Sequence, residues 1–318
     1  MYFPVAGIEV APWIPFGAGF LVALVCGMGG VSGANLLLPF QMSVLGFTTP
    51  AVSATNHLFN IVAIPGGVYR FIREGRMVWP LTWVVIAGTV PGVLLGVFLR
   101  VQYLPDPGRF KIFAGLVLLY IAYVMLRSLL KPPSKEAQGG GPASAEKRFQ
   151  ELVANFRRQD AASRQPLPRV ELNQVGLKSI DYTFYGERIS APTLGIFTLS
   201  ALVGVVGGMY GIGGGAIIAP FFVAVFRLPV YTIAGACLMG TFLTSVVAAL
   251  FYQLLAPLYP DLAVAPDWRL GILLGSGGLL GMYAAARLQK FVPAQLIKWV
   301  LAVILLFSGG RYLLAPLF

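Results

Sequence analysis

Twice in this chain a bilayer-length apolar stretch is cut through its middle by a cluster of glycines. From Trp13 to Leu45 an unbroken helix would extend about 50 Å at 1.5 Å per residue. A hydrocarbon core is only about 30 Å thick, so the cluster around Gly27–Gly33 must break or reverse the chain. The second cluster contains three consecutive glycines, Gly213–Gly215, which destabilise any helix running through them. In lipid every backbone polar group needs a partner within the protein, so only helices and closed barrels cross. The short alternating segments of a barrel are absent. The expected fold class is therefore an all-α integral membrane protein.

Ten apolar segments carry this reading. Five precede a polar interruption: Trp13–Gly29, Gly33–Leu45, Ala51–Tyr69, Val78–Leu99 and Phe110–Leu130. Five follow it: Thr193–Met209, Gly213–Phe226, Tyr231–Leu255, Leu270–Leu288 and Leu296–Leu314. Only 11% of residues are charged, against about a quarter in soluble domains, which removes the soluble class. The N-terminus has no basic stretch or small-residue cleavage site, so the first run is expected to be retained.

The halves are copies of each other. Leu24–Phe40 aligns without gaps to Val205–Phe221, and Val25, Gly27, Met28, Gly30, Gly33, Pro39 and Phe40 have identical counterparts. Lys111–Gly115 matches Lys298–Ala302 late in each half. Chance apolar similarity does not place Gly, Met and Pro at shared offsets. The expected organisation is a first transmembrane repeat at 13–130, a polar cytoplasmic connection at 131–190 and a second repeat at 193–317.

If each glycine cluster reverses the chain, each half crosses an odd net number of times and the copies have inverted topology. Loop charges agree when the N-terminus is outside. Arg70, Arg73, Arg76, the central stretch, Arg227, Arg287 and Lys290 then fall inside, while Asp261 and Asp267 fall outside. Arg100, Arg109 and Lys111 disagree and are read as snorkelling at helix ends. The net charge of +11 thus reflects cytoplasmic anchoring and attraction to anionic lipid. No basic stripe with interleaved aromatics points to nucleic acid. Trp13, Trp79, Trp268 and Trp299, near segment ends, are interface anchors.

In the connection, Lys131-Pro132-Pro133 stops a helix and Gly139–Pro142 is linker chemistry. Phe149, Leu152, Val153 and Phe156 recur at helical spacing, which predicts a short amphipathic helix. Ile180, Tyr182 and Phe184 alternate with polar neighbours, which predicts a strand or an extended interfacial segment. The whole reads as a connection lying on the membrane surface.

The chemistry is expected at the breaks. A helix interrupted at mid-membrane frees backbone N–H groups, and these are tolerated where they line a cavity. Helix N-termini carry partial positive charge and free donors, so an anion is the natural ligand. Two breaks, one per copy, would aim their donors at a shared midplane site. Backbone near Gly30, Ser32 and Gly33, and near Gly211, Gly213, Gly214 and Gly215, would hold the anion. Asn35, Asn56, His57, Cys237 and Thr241 would shape the pocket. Packing is the plainer alternative for each of these, and it is the reading for Gly92/Gly96 and Gly277/Gly281. His57 is the sole histidine and is either a packing residue or a protonatable group.

Cys26 and Cys237 lie in apolar segments and read as small buried residues. No metal or cofactor is expected, and no nucleotide-binding motif is present. One enzymatic alternative exists: Gly30-Val31-Ser32-Gly33 fits the pattern around an intramembrane protease serine, with His57 as its base. Against it, the second copy has Gly213 in place of Ser32, so the motif is a variant glycine break and no enzyme is expected.

The Gly-Met-x-Gly-x-Gly-Gly-Gly pattern at Gly208–Gly215 leading to Pro220-Phe221, with its weaker twin in the first half, resembles the sulfite exporter TauE/SafE family of permeases. Ala51–Asn56 and Thr232–Cys237 fit as well. The long insert and Ser32-Gly33-Ala34 in place of a glycine triplet depart from the family pattern. The resemblance implies a secondary transporter moving sulfite, an organosulfonate or a related anion, driven by a coupling ion, a proton gradient or downhill flux. A channel is the alternative within transport. The implied location is a bacterial or archaeal cell membrane, with a small anion and membrane lipid as partners. Because Ser32, Asn56 and His57 distinguish the first copy, selectivity is expected to reside there.

Overall fold

The structure is a computed structural model. It describes residues 1–28, 32–73, 75, 77–130, 170–184, 187–226, 228, 230–288 and 294–314. Eleven helices are described: α1 (Trp13–Met28), α2 (Ala34–Ser43), α3 (Ala51–Ala63), α4 (Pro65–Arg73), α5 (Trp79–Tyr103), α6 (Pro107–Leu130), α7 (Thr193–Tyr210), α8 (Gly214–Ala224), α9 (Val230–Leu255), α10 (Trp268–Leu288) and α11 (Ala294–Leu314). The ten apolar segments appear as helices close to their expected bounds. The third is divided, because Pro65 has no amide to continue the ladder that ends with Ile64 N–H on the Asn60 carbonyl.

Among the described residues, four helices are long and apolar enough to cross a membrane, at 79–103, 107–127, 193–210 and 232–258, and shorter apolar ones lie at 13–26 and 299–314. Large apolar side chains cover the outside of the bundle as well as filling its core. Leu21, Leu95, Phe98, Leu116, Leu202, Leu250, Leu254 and Phe307 face outward. Asn35, Gln41, Ser53, Thr55, Asn56, His57, Asn60, Thr82, Thr89 and Arg100 are buried. Trp13, Trp79, Trp268 and Trp299, all at or near helix ends, are exposed as interface anchors would be.

Glycine contacts fix the direction of the helices. Along α5, Gly88, Gly92 and Gly96 meet in turn the carbonyls of Phe197, Ala201 and Val205 on α7, so the two helices run parallel. Phe16 and Phe20 of α1 meet Gly277 and Gly281 of α10 in the same sense. A Cβ on any of these five glycines would fall 2.0–2.5 Å from the facing carbonyl oxygen. The packing reading of Gly92/Gly96 and Gly277/Gly281 therefore fits the structure.

These two interfaces are equivalent under exchange of the halves. By the internal alignment α1 corresponds to α7, α3 to α9 and α6 to α11, and by chain order α10 corresponds to α5. Counterpart helices that touch run antiparallel. Gly115 of α6 lies against Tyr312 of α11, and Gly309 of α11 lies against Leu119 of α6. His57 bonds Ser245, Gly67 meets Leu238 and Phe71 meets Gly235, so α3–α4 descends as α9 ascends.

Each end of the bundle has its own closure. At one end the N-terminal hairpin, β1 (Tyr2–Phe3) with β2 (Ile8–Glu9), packs beside the 256–267 connection. There the Asp267 carboxylate accepts the amides of Leu270 at 3.0 Å and Ala6 at 3.2 Å, capping α10 and pinning the hairpin. The described part of the central segment forms an antiparallel sheet at the other end, in the order β3 (Glu171–Val175), β4 (Ser179–Phe184), β5 (Glu187–Pro192). The alternation at Ile180, Tyr182 and Phe184 is β4, and all three are buried. Tyr182 Oη and Thr232 Oγ1 lie 2.9 Å apart, and Val170 N–H bonds the Gly75 carbonyl at 3.3 Å. The amphipathic stretch at Phe149–Phe156 lies outside the described residues.

Candidate functional site

The second break is described in full. Helix α7 ends with Gly211 in the left-handed region (φ 90°), and Gly213 (φ 72°) turns the chain into α8. Both positions favour glycine. Gly207 faces Gly213 and Gly204 faces Gly214, so α8 folds back antiparallel on α7. With 11 residues, α8 extends about 16 Å, roughly half a hydrocarbon core. The first turn of α8 has no side-chain cap.

The first break is closed differently. Ser32 Oγ accepts the amide of Ala34 at 3.3 Å, so a hydroxyl occupies one of the donors freed at the start of α2. Gly33 packs on Phe59 and Val22. Gly30 lies outside the described residues.

Helix α3 joins the two breaks. Asn60 Oδ1 accepts from Ser32 Oγ at 3.5 Å, while Asn60 Nδ2 donates to the Ile212 carbonyl at 3.1 Å and to Ser245 Oγ at 3.3 Å. One turn earlier, Asn56 Nδ2 donates to the Ala34 carbonyl at 3.0 Å and Asn56 Oδ1 accepts from Gln41 Nε2 at 3.3 Å. Ser53 Oγ donates to the Met209 carbonyl at 2.9 Å, and Gly211 packs directly on the Ser53 backbone. From the other side Tyr210 Oη donates to the Asn35 carbonyl at 3.0 Å. Asn35 Oδ1 is buried without a hydrogen-bond partner.

The glycine triplet is enclosed by protein. A Cβ on Gly214 would lie 2.5 Å from Thr89 Cγ2, and one on Gly215 would lie 1.9 Å from the Cys237 carbonyl oxygen. Thr241 Cγ2 and Ser245 Oγ close on Gly213. Thr241 Oγ1 donates to the Cys237 carbonyl of its own helix at 2.9 Å. Cys237 and Thr241 thus pack directly against the triplet. A cavity of about 340 Å³ opens instead between α1, α2 and α11, with mostly apolar walls including Leu21, Val25, Phe40 and Phe307. In this conformation Gly33 and Gly211–Gly215 are buried, while Ser32 is half-buried.

Of the expected site residues, Ser32, Gly33, Asn35, Asn56, Gly211, Gly213, Gly214, Gly215, Cys237 and Thr241 converge around the two breaks. His57 lies on the α9 side, with Nδ1 3.2 Å from Ser245 Oγ and its ring 6.2 Å from that of Tyr252. Ser32 and His57 have different partners, so no Ser–His dyad is formed. Asn60, Ser53, Ser245 and Tyr210 complete the cluster. Ser245 could have been found from its spacing, since Cys237, Thr241 and Ser245 share one helical face. Thr232, by contrast, belongs to the contact with the sheet.

Arg100 corrects the sequence reading. It does not snorkel but is fully buried, with Nε donating to Ser53 Oγ at 3.4 Å, Nη1 donating to the Leu104 carbonyl, and the guanidinium carbon 3.6 Å above the Phe110 ring. Cys26 and Cys237 are both buried and free of disulfide.

Comparison with known proteins agrees with this architecture. The family model described as "Sulfite exporter TauE/SafE" matches residues 15–312. The "Probable membrane transporter protein YunE" of Bacillus subtilis is 19% identical over 308 residues, 94% of this chain and 96% of that protein. The "Probable membrane transporter protein YdhB" of the same organism is 25% identical over 114 residues, so the match spans 36% of this chain and 43% of that relative. No solved structure matches.

Proposed function

Since the chain belongs to the sulfite exporter TauE/SafE family of membrane transporters, we propose that it is a secondary permease carrying a small oxyanion, sulfite or an organosulfonate, past its paired helix breaks. One observation carries the reading. Two broken helices meet at Asn60 within a cluster of buried polar side chains, in a bundle whose outer faces are apolar. The uncapped start of α8 supplies donors of the right sign for an anion. The antiparallel crossing of counterpart helices supports inverted repeats, the arrangement in which each break offers its N-terminus to one midplane site.

Enclosure of the second break favours alternating access over an open pore, since the substrate reaches Gly213–Gly215 only after the bundle opens. The loop charges support an N-terminus outside and the three-stranded sheet inside. Substrate is tested by uptake of labelled sulfite into proteoliposomes, with methanesulfonate, chloride and sulfate as competitors and with or without a pH gradient. Saturable sulfite flux, competed by methanesulfonate and not by chloride, is expected. Flux that rises linearly with concentration would mark a channel, and no oxyanion flux under any gradient would remove the reading.

A further inference from the structure

A buried cation without a counter-charge stands beside the second break. Arg100 lies in the last turn of α5, fully enclosed by Ser53 of α3, Leu104 and Phe110. Among the described residues no carboxylate comes within ion-pair distance of it, and Arg188 pairs with Asp181 in the distant sheet. The nearby acids are engaged elsewhere. Asp106 Oδ2 accepts the Arg109 amide at 2.8 Å, and Asp267 holds the amides of Leu270 and Ala6.

Protein contacts account for part of this guanidinium and not all of it. Nη1 serves the Leu104 carbonyl past the end of α5, a favourable place for a cation. Nε reaches Ser53, and Phe110 covers one face. Nη2 is buried with no partner. Burying a charge is costly unless it is paired and hydrogen-bonded, and an ionisable group held inside a membrane protein in this way marks an ion or substrate pathway.

Its position gives it a task. Ser53, the partner of Nε, donates to the Met209 carbonyl in the last turn of α7, and Gly211 rests on the Ser53 backbone. Arg100 is therefore separated from the second break by one serine. We propose that Arg100 is a second anion position on the transport path, where Nη2 and the positive charge receive the oxyanion as it passes between the breaks and the end of the bundle that carries the 256–267 connection. A guanidinium suits this because its planar fork matches the oxygens of sulfite or a sulfonate. This inference rests on the oxyanion reading above.

The test uses the full-length protein in proteoliposomes and detergent, with wild type, Arg100→Met and Arg100→Lys. Methionine nearly conserves volume, and relief of an uncompensated buried charge offsets the loss of the hydrogen bonds to Leu104 and Ser53. Arg100→Met is expected to keep or raise the thermal unfolding midpoint while KM for sulfite rises at least tenfold. Arg100→Lys, which keeps the charge and loses the fork, is expected to fall between. Methanesulfonate should raise the unfolding midpoint of wild type by more than that of Arg100→Met, which keeps only the position at the breaks. If wild type transports sulfite and Arg100→Met does so with unchanged KM, the proposal is overturned whatever its stability. If Arg100→Met fails to fold, unchanged KM in Arg100→Lys overturns it and a raised KM with an unshifted melting point supports it. Absence of sulfite flux in wild type would instead remove the oxyanion reading itself.

Discussion

Asn60 donates a hydrogen bond of 3.1 Å to the carbonyl of Ile212, a residue from the opposite half of the chain lying between the two left-handed glycines of the second break. The same amide accepts from Ser32 at the first break. One side chain thus sets the separation of the two interruptions, although Asn60 lies 152 residues from Ile212 in sequence.

Replacing Asn60 by Leu should uncouple the breaks. The Ile212 carbonyl would be left buried without this partner, at a cost of about 1–3 kcal/mol. Sulfite flux is expected to fall at least tenfold and the unfolding midpoint in detergent to drop by several degrees. Equal flux in wild type and Asn60→Leu would separate the bridge from transport.

Two neighbouring glycines of α1 give opposite predictions. A Cβ at Gly19 would sit 2.0 Å from the Leu274 carbonyl oxygen, whereas at Gly17 nothing lies within 4 Å. Gly19→Ala should force α1 and α10 apart and sharply reduce folded yield. Gly17→Ala should be neutral or stabilising by about 0.5–1 kcal/mol from helix propensity. Size-exclusion profiles and thermal unfolding distinguish them.

Ser32→Ala should leave transport partly intact. Its hydroxyl caps the Ala34 amide and meets Asn60, so its loss costs about 1 kcal/mol of local stability. A several-fold reduction in flux is expected. Complete loss with normal folding would give the hydroxyl a direct role with the anion.

His57 bonds Ser245, which also accepts from Asn60. If His57 carries a coupling proton, His57→Gln should transport downhill yet fail to concentrate sulfite when a pH gradient is imposed. Accumulation equal to wild type would exclude His57 from coupling.

The orientation can be read with an impermeant maleimide, because both native cysteines are buried. Leu177→Cys, in the exposed β3–β4 turn, and Leu258→Cys, in the exposed 256–267 connection, should label from opposite sides. Leu258→Cys is expected to react on intact cells and Leu177→Cys only after permeabilisation. Labelling of both from one side would contradict the inverted arrangement.

Most of the fold was legible because a bilayer imposes length. Each apolar run of the required extent became a helix, and the triplet at Gly213–Gly215 announced the break. Pro65 divides the run Ala51–Tyr69, whose hydropathy alone reads as one continuous segment. The site was less legible. Thr241 in sequence is a polar group beside a glycine triplet, and only the fold shows its hydroxyl engaged by the Cys237 carbonyl. Arg100 ends an apolar helix as a snorkelling residue would; that its side chain turns inward depends on where Ser53 and Phe110 come to lie. Asn60 could be paired with Thr241 by alignment, but its reach to Ile212 follows from the crossing of α3 and α9, which local spacing does not encode.

The exchanged glycine interfaces bear on how the protein is made. The backbone strip of α5 is completed by α7, and α1 is completed by α10. During synthesis the first half therefore enters the membrane without either of its partner surfaces, and its close-packing faces meet lipid until the second half has been translated.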